Sequence, residues 1–236
     1  MDEFDFSGVS NICDIDISNQ LADITAFADT DMTYLEGKQG FVVSIGGLLD
    51  PVAGGYDAEM FTDLTTVDRR LGIFDDDLSG KFGYEGTTNP SEQARASETG
   101  NAIVLNVTWK GDDTIYRAVL LEVDAAVSGT VTGAKVQQGA ISATETGEAV
   151  VRLLAASSGS GNNDLDITIE SDADSSAGGE TTRMTFTTLN QASSPTYEVK
   201  TVAGSVTDTW WRMVATYSGA GSRVFSIVVS FGIRPT

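Results

Sequence analysis

Short apolar segments separated by clusters of Gly, Asn, Asp and Ser occupy most of this chain of 236 residues, and they limit its fold more than any other feature. Such segments are typical of β-strands bounded by turns. In residues 165–171, Leu165, Ile167 and Ile169 alternate with polar residues, which places apolar and polar side chains on opposite faces of a strand. We therefore predict a mainly all-β fold. The predicted strands are 41–45, 102–109, 114–123, 150–156, 165–171, 181–189, 209–217 and 223–231.

Two glycine-containing connections predict hairpins between neighbouring strands. Gly111 and Asp112 lie between two strands, so residues 102–123 are predicted to form an antiparallel hairpin. Residues 218–222 (Ser-Gly-Ala-Gly-Ser) are predicted to join the last two strands in the same way.

One segment departs from the β pattern, because apolar residues recur at helical spacing over residues 57–71. Asp57 is placed as an N-cap, Arg69 and Arg70 fall in the last turn, and Gly72 follows the end. This sequence predicts one α-helix whose apolar stripe packs on a sheet.

The segment 74–101 that follows is polar and rich in Gly, Thr and Ser. A connection of this length inside a compact domain is usually a functional loop. We predict a loop whose residues 86–98 are dispensable for folding but required for assembly.

The charge balance of the chain excludes several functions. The chain carries 14 Lys and Arg against 34 Asp and Glu, a net charge of −20. Residues 1–80 alone hold 17 acidic and 3 basic side chains, a net charge of −14. Binding to nucleic acid through phosphate contacts requires clustered Lys and Arg, so that class of function is excluded, as is docking on an anionic membrane.

The most apolar segments, 41–49 and 224–233, are too short to cross a bilayer. The acidic N-terminus does not resemble a secretory signal peptide. We therefore expect no membrane partner and a chain that is made in a cytoplasm.

The chain contains no histidine and a single cysteine, Cys13. Nucleophile pairs that use histidine, histidine-ligated metals, CxxC clips and intramolecular disulfides are thereby excluded. We predict no enzymatic activity, no cofactor, and no catalytic, cofactor-binding or metal-binding residues. A carboxylate-based hydrolase is the weakest alternative, because paired carboxylates arise by chance in an acidic chain. The pairs are Asp14 and Asp16, Asp29 and Asp31, Asp164 and Asp166, and Asp172 and Asp174.

Residues 172–180 are the best candidate for a calcium loop, because Asp172, Asp174 and Ser176 supply oxygens at alternate positions. The EF-hand template requires Gly where Ala177 stands and a bidentate Glu where Arg183 stands. The sequence therefore favours a solvated surface over a metal site here.

Two further motifs have structural interpretations. The glycine-rich residues 158–163 lack the GxGxxG spacing of a phosphate-binding loop and predict a turn. Trp210 and Trp211 are adjacent on a predicted strand, so one is expected in the core and the other toward a partner or solvent.

The order of these elements resembles the major tail tube protein of long-tailed (siphovirus-type) bacteriophages, and in particular its actinobacteriophage-like members. The residues that carry the resemblance are the arm 21–30, the glycine-led strand Gly37 to Asp50, the turn Gly83 to Gly86, the segment 131–141, and the C-terminal succession from 165 to 235.

The resemblance implies a tail-tube β-sandwich or barrel in residues 1–148, with the helix near 57–71. It implies a C-terminal antiparallel β-sandwich portion in residues 149–236, which could also be a second tube-like half. Copies would form stacked homotrimeric or homohexameric rings in the virion tail, assembled in the host cytoplasm. The expected partners are the tape measure, tail terminator and distal tail proteins, and genome DNA would pass through an acidic lumen without specific binding.

The alternative is a capsid decoration or fibre-type β-sandwich binding protein. Such a protein forms a discrete oligomer on a preformed lattice or a host glycan and does not elongate by itself.

Overall fold

The computed structural model describes residues 10–23, 34–48, 69–96, 104–111, 115–157, 163–176, 178–190, 196–219 and 223–236. All regular secondary structure in these ranges is β-strand. The strands are β1 Ser10–Asp23, β2 Tyr34–Leu48, β3 Arg69–Phe74, β4 Phe82–Ala96, β5 Val104–Gly111, β6 Tyr116–Val127, β7 Val131–Thr132, β8 Val136–Gln137, β9 Glu145–Ala156, β10 Asp164–Asp172, β11 Thr181–Thr185, β12 Thr196–Ala203, β13 Trp210–Ser218 and β14 Phe225–Pro235. No helix in this part of the chain is long and apolar enough to cross a membrane.

The described residues form two compact units that are discontinuous in sequence. Of the described residues, those within 72–85 and 116–236 form the sandwich unit, and those within 10–71 and 86–115 form the edge unit. The predicted domain boundary at 148/149 falls inside β9, and the division into residues 1–148 and 149–236 stays a prediction.

The sandwich unit contains two antiparallel sheets. In the first sheet, β6, β14, β9 and β12 follow one another, and residues 82–85 of β4 pair with β6. In the second sheet, β10 lies between β11 and β13, and the short strands β7 and β8 both pair with β13. Antiparallel sheets that each present one apolar face form a sandwich by burying those faces against each other.

The core of the sandwich unit is built from the alternate residues of these strands. Leu165, Ile167 and Ile169 of β10 are fully buried, whereas the intervening Asp166, Thr168 and Glu170 are half-buried. The alternation predicted for this strand is therefore confirmed. Trp211 of β13 stacks on Phe231 of β14 with ring centroids 4.2 Å apart, which joins the two sheets at their centre.

The opposite face of the first sheet is also buried, and it carries polar side chains beside apolar ones such as Leu120 and Val150. Arg152 donates two hydrogen bonds of 2.7 Å, one to each oxygen of the Glu85 carboxylate. Ser230 donates a third bond of 2.6 Å to the same carboxylate. Gly72 passes so close that an added Cβ would lie 2.8 Å from Glu85 Oε1. A buried ion pair requires hydrogen bonds of this kind to its charged atoms, because an unpaired buried charge is strongly destabilising.

A second polar group lies on the same face. The Tyr116 hydroxyl donates a bond of 2.8 Å to Glu148 Oε1, and Arg234 donates one of 2.8 Å to Glu148 Oε2. Gly232 leaves space for the Tyr116 ring, because an added Cβ would lie 2.5 Å from it. The glycines of the neighbouring strands thus make room for the polar side chains of this face.

The edge unit contains one antiparallel sheet in the order β1, β2, β5, β4, with β4 represented by residues 86–96. Gly111 of β5 accommodates the ring of Phe41, since an added Cβ would lie 2.1 Å from it. The register brings alternate apolar residues of β2 and β5 to one buried face, which consists of Phe41, Val43, Ile45, Leu105, Val107 and Trp109.

The predicted strands all overlap observed strands, but both predicted hairpins are wrong. Strand β4 lies between β5 and β6, so residues 102–123 do not form a hairpin. Strands β13 and β14 belong to different sheets, so the connection after Ser218 joins two sheets. In both cases the strands pair with partners that are distant in sequence. The identity of the turn residues does not predict such pairing.

The predicted helix is not shown. Residues 57–68 lie outside the described residues, and Arg69 to Leu71, assigned to its last turn, begin strand β3. The prediction is wrong for these three residues, because strand β3 pairs with β4 and buries Leu71 at 7% exposure.

The predicted long loop at 74–101 is wrong over residues 82–96, which form β4. Its inward positions carry polar residues or glycine rather than apolar residues, and this hid the strand. Glu85 and Thr88 are 1% and 0% exposed, and Thr88 donates a bond of 3.3 Å to the Arg69 carbonyl.

We predict that Arg152→Ala lowers the free energy of unfolding by about 3–5 kcal/mol, because it removes a cation that donates two hydrogen bonds to the buried Glu85 carboxylate. Urea denaturation measures the change. The double variant Glu85→Leu, Arg152→Met should lose less than the sum of the single variants, because both members of this buried ion pair are removed together. Lys81→Ala is the matched control, since the Lys81–Asp76 pair (3.5 Å) is exposed. Equal losses of unfolding free energy for Arg152→Ala and Lys81→Ala would contradict the assignment of Glu85 and Arg152 as a stabilising buried ion pair.

We also predict that deletion of residues 86–96 prevents folding of the edge unit. Strand β5 pairs with β4 over Thr88 to Ala96, and the deletion removes these backbone hydrogen bonds. Circular dichroism and a urea melt are the measurements. A deletion variant that keeps native strand content and a cooperative transition would show that this strand is dispensable.

Candidate assembly site

Strand β1 is an edge strand of unusual length. It spans 14 residues and, among the described residues, pairs with β2 alone. Its outer side therefore presents backbone N–H and C=O groups to whatever lies beside it. Natural proteins usually keep such edges short or protect them, because an exposed long edge pairs with other chains.

The side chains of β1 add apolar surface to this edge. Ile12 is 49% exposed and Ile17 is 38% exposed. Cys13, Ile15 and Ile17 lie opposite Ile45, Val43 and Phe41 of β2 and continue its apolar face to the edge. Asp14 and Asp16 project from the other face and are exposed. The edge thus combines a row of backbone N–H and C=O groups with an apolar face and an acidic face.

Strand β12 is an edge of the first sheet of the sandwich unit. It spans 8 residues and, in the described ranges, pairs with β9 alone. Lys200 and Glu198 form an ion pair of 2.8 Å on this strand, so β12 carries no net charge. An acidic edge and an uncharged edge are therefore both available for strand pairing.

A charged cluster lies at one end of the second sheet and is centred on Lys135. The Lys135 ammonium is 2.5 Å from Asp172 Oδ2 and 3.2 Å from Glu180 Oε1. It also donates to the backbone carbonyls of Asp174, at 3.5 Å, and of Ser176. The Lys135 side chain is only 8% exposed.

Arg212 connects this cluster to the outer face of the sheet. It lies 3.0 Å from Glu180 Oε1 and donates bonds of 2.9 and 2.7 Å to Glu170 Oε2. Nearby, Arg183 donates to Asp208 at 2.9 Å, and Ser171 donates to the same carboxylate at 2.6 Å. Arg212 thus joins β13 to β10 on the outer face of the sheet, and Arg183 joins β11 to Asp208, which precedes β13.

The titration of these groups follows from the contacts. Burial alone lowers the pKa of Lys135, but hydrogen bonds to Asp172 and Glu180 and their charges raise that pKa above its ordinary value. The hydrogen bond from Lys135 lowers the pKa of Asp172. Backbone and Lys135 hydrogen bonds lower the pKa of Glu180, and bonds from Ser171 and Arg183 lower the pKa of Asp208.

Of the carboxylate groups considered in the sequence, Asp172, Asp174 and Ser176 lie in one cluster around Lys135, which the sequence did not single out. Asp172 contributes its carboxylate there, whereas Asp174 and Ser176 contribute backbone carbonyls. Asp14 and Asp16 lie on an exposed strand face, and Asp166 accepts a bond from Thr188. Asp29 and Asp31 lie outside the described residues. Trp211 enters the core and the half-buried Trp210 faces the other way, as predicted.

Comparisons with known proteins give structural likenesses only. No protein-family model matches the chain, and no curated protein matches it. It is similar to a chain in the virion of a native gene transfer agent particle, with a TM-score of 0.38 and 12% identity over 45% of this chain and 82% of that chain. It is also similar to a chain in the tail of an empty gene transfer agent particle, computed with helical refinement and sixfold symmetry. The TM-score there is 0.37, with 12% identity over 45% of this chain and 80% of that chain.

The third likeness spans almost the whole chain. It is to the SPP1 Dit protein, described as a paradigm of the hub adsorption apparatus of phages that infect Gram-positive bacteria, with a TM-score of 0.35 and 10% identity over 98% of this chain and 96% of that chain. Likeness at this level does not establish a family, and function must be inferred from the residues of this chain.

We predict that Ile12→Lys together with Ile17→Lys abolishes concentration-dependent self-association without unfolding the chain. Lysines on an edge strand oppose pairing with a second strand, and both side chains are exposed in the single chain. Sedimentation velocity measures association and circular dichroism measures folding. Leu78→Lys is the matched control, because Leu78 is 56% exposed but lies outside the strands. If the double variant associates as the native chain does, β1 is not the contact.

Proposed function

We propose that this chain is a structural protein of a bacteriophage virion tail, and specifically a major tail tube subunit that polymerises into stacked rings. The observation that carries the proposal is the long edge strand β1 with its exposed isoleucines. Such an edge is a hazard for a monomer and a contact site for a polymer. The resemblance of the sequence to tail tube proteins supports the same function.

The charge on β1 favours pairing with a different edge over pairing with its own copy. An antiparallel pair of two β1 strands centred between Asp14 and Asp16 would bring four carboxylates together, and like charges on opposed strands are destabilising. Strand β12 carries no net charge, so β1 of one copy is better paired with β12 of the next. A contact between unlike surfaces generates a closed ring or an open filament.

The proposed conduit for DNA rests on the acidic character of the chain. DNA passing through a bore is repelled by carboxylates and is retained by clustered Lys and Arg. Asp14 and Asp16 are exposed on one face of β1, and we assign that face to the lumen. The chain then belongs to the virion tail, is assembled in the host cytoplasm, and contacts tape measure, tail terminator and distal tail proteins without an enzymatic role.

Negative-stain electron microscopy of the purified chain at rising concentration tests the proposal. We expect hollow tubes with a regular axial repeat, and end-on views distinguish rings of three subunits from rings of six. Discrete oligomers that never elongate would favour the capsid decoration or fibre-type alternative. A chain that stays monomeric at high concentration would contradict the tube proposal.

The same tubes test the acidic lumen. Asp14→Asn with Asp16→Asn should leave tubes intact, because no lysine is added to the edge strand, and should make them retain more duplex DNA at low salt than native tubes, because two carboxylates that repel phosphate are removed. DNA retention is measured by co-sedimentation. Asp75→Asn with Asp77→Asn is the matched control, since both residues are exposed outside the strands. Equal retention by the two double variants would remove Asp14 and Asp16 from the lumen.

A further inference from the structure

The Lys135 cluster has the composition of a cation site. Two carboxylate oxygens, from Asp172 and Glu180, and two backbone carbonyls, from Asp174 and Ser176, converge on one point. Carboxylate and carbonyl oxygens are the donors that Ca²⁺ takes in proteins. The point at which they converge is occupied by the Lys135 ammonium.

We propose that Asp172, Asp174, Ser176 and Glu180 form a cation site whose resident ligand is the ammonium of Lys135, and that the same oxygens bind Ca²⁺ when that ammonium is removed. The native chain then needs no metal to order this end of the second sheet. This proposal is independent of the proposed tail function.

The buried ammonium separates this cluster from a chance group of acidic residues. The Lys135 side chain is 8% exposed, and the Asp172 and Glu180 side chains are 8% and 15% exposed. A lysine ammonium has three donors and is strongly hydrated in water, so it is buried only where oxygens replace that water.

The site is held from several directions. Thr209 N–H donates to the Asp172 carbonyl at 3.1 Å, and Arg212 lies 3.0 Å from Glu180 Oε1, the oxygen that Lys135 also contacts. Gly179 has a φ of +137°, and an added Cβ there would lie 3.2 Å from Asp172 Oδ1, so the chain can pass close to the carboxylate. The oxygens are therefore largely positioned without a metal.

The backbone carbonyls explain why carboxylates alone do not reveal the site. Among the described residues, no group of three or more His, Cys, Asp or Glu is arranged to hold a metal ion. Two carboxylates with two carbonyls carry little charge and make a weak oxygen set without octahedral geometry. Such a set suits Ca²⁺ better than Mg²⁺, which requires near-ideal octahedral geometry and retains its water.

Isothermal titration with CaCl₂ and thermal melts in CaCl₂ or EDTA test the proposal on the full chain. Lys135→Met keeps the aliphatic stem and removes the charge. We expect this variant to bind Ca²⁺ with a Kd of about 10⁻⁴ to 10⁻³ M and to melt at higher temperature in CaCl₂ than in EDTA. MgCl₂ should bind at least about tenfold more weakly.

Three proteins serve as controls. Native protein and Lys135→Arg keep a cation in the site and should show no Ca²⁺ binding and no difference between CaCl₂ and EDTA. Lys135→Met with Asp172→Asn should lose the Ca²⁺ response, because it removes a ligand charge. If Lys135→Met does not fold, as judged by circular dichroism, Lys135→Gln takes its place. Calcium binding by the native protein, or none by the folded Lys135 variants, would overturn the proposal.

Discussion

The burial of both faces of the first sheet of the sandwich unit is the constraint on which that unit depends. Its inner face is apolar and packs on the second sheet through contacts such as the Trp211–Phe231 stack. Its outer face is buried as well, and there the chain places Glu85, Arg152 and Ser230 in one saturated hydrogen-bond network. Such a network specifies one arrangement, because a partly satisfied one would be costly.

The two faces of this sheet also explain what the sequence could predict. The apolar alternation in β10 marks the inner face, and it identified this strand correctly, together with the predicted parts of β6, β9, β13 and β14. Strand β4 escaped prediction because its buried positions carry Glu85, Gly86 and Thr88, which are typical of loops in isolation. The strand order could not be predicted for a similar reason. Strand β4 lies between β5 and β6. Its backbone groups make this pairing, and the turn residues do not indicate it.

The candidate sites were not predicted from the sequence. Asp172, Asp174 and Ser176 were noticed because they are close together along the chain, but the sequence favoured a solvated surface there. Lys135 is 37 residues from Asp172, and only the pairing of β8 with β13 brings that part of the chain to the end of β10. The edge position of β1 is likewise a property of sheet order, although its apolar and acidic residues are local.

The distribution of cations connects the fold to the proposed function. The acidic chain places many of its few cations in ion pairs within the sandwich unit, where Lys135, Arg152, Arg183, Arg212 and Arg234 each contact a carboxylate. Cations used in this way stabilise the subunit and are not available to bind phosphate. Asp14 and Asp16, by contrast, stay exposed on β1. In the proposed tube, a subunit built in this way can be stable at a net charge of −20 and still present DNA with a surface to which it does not adhere.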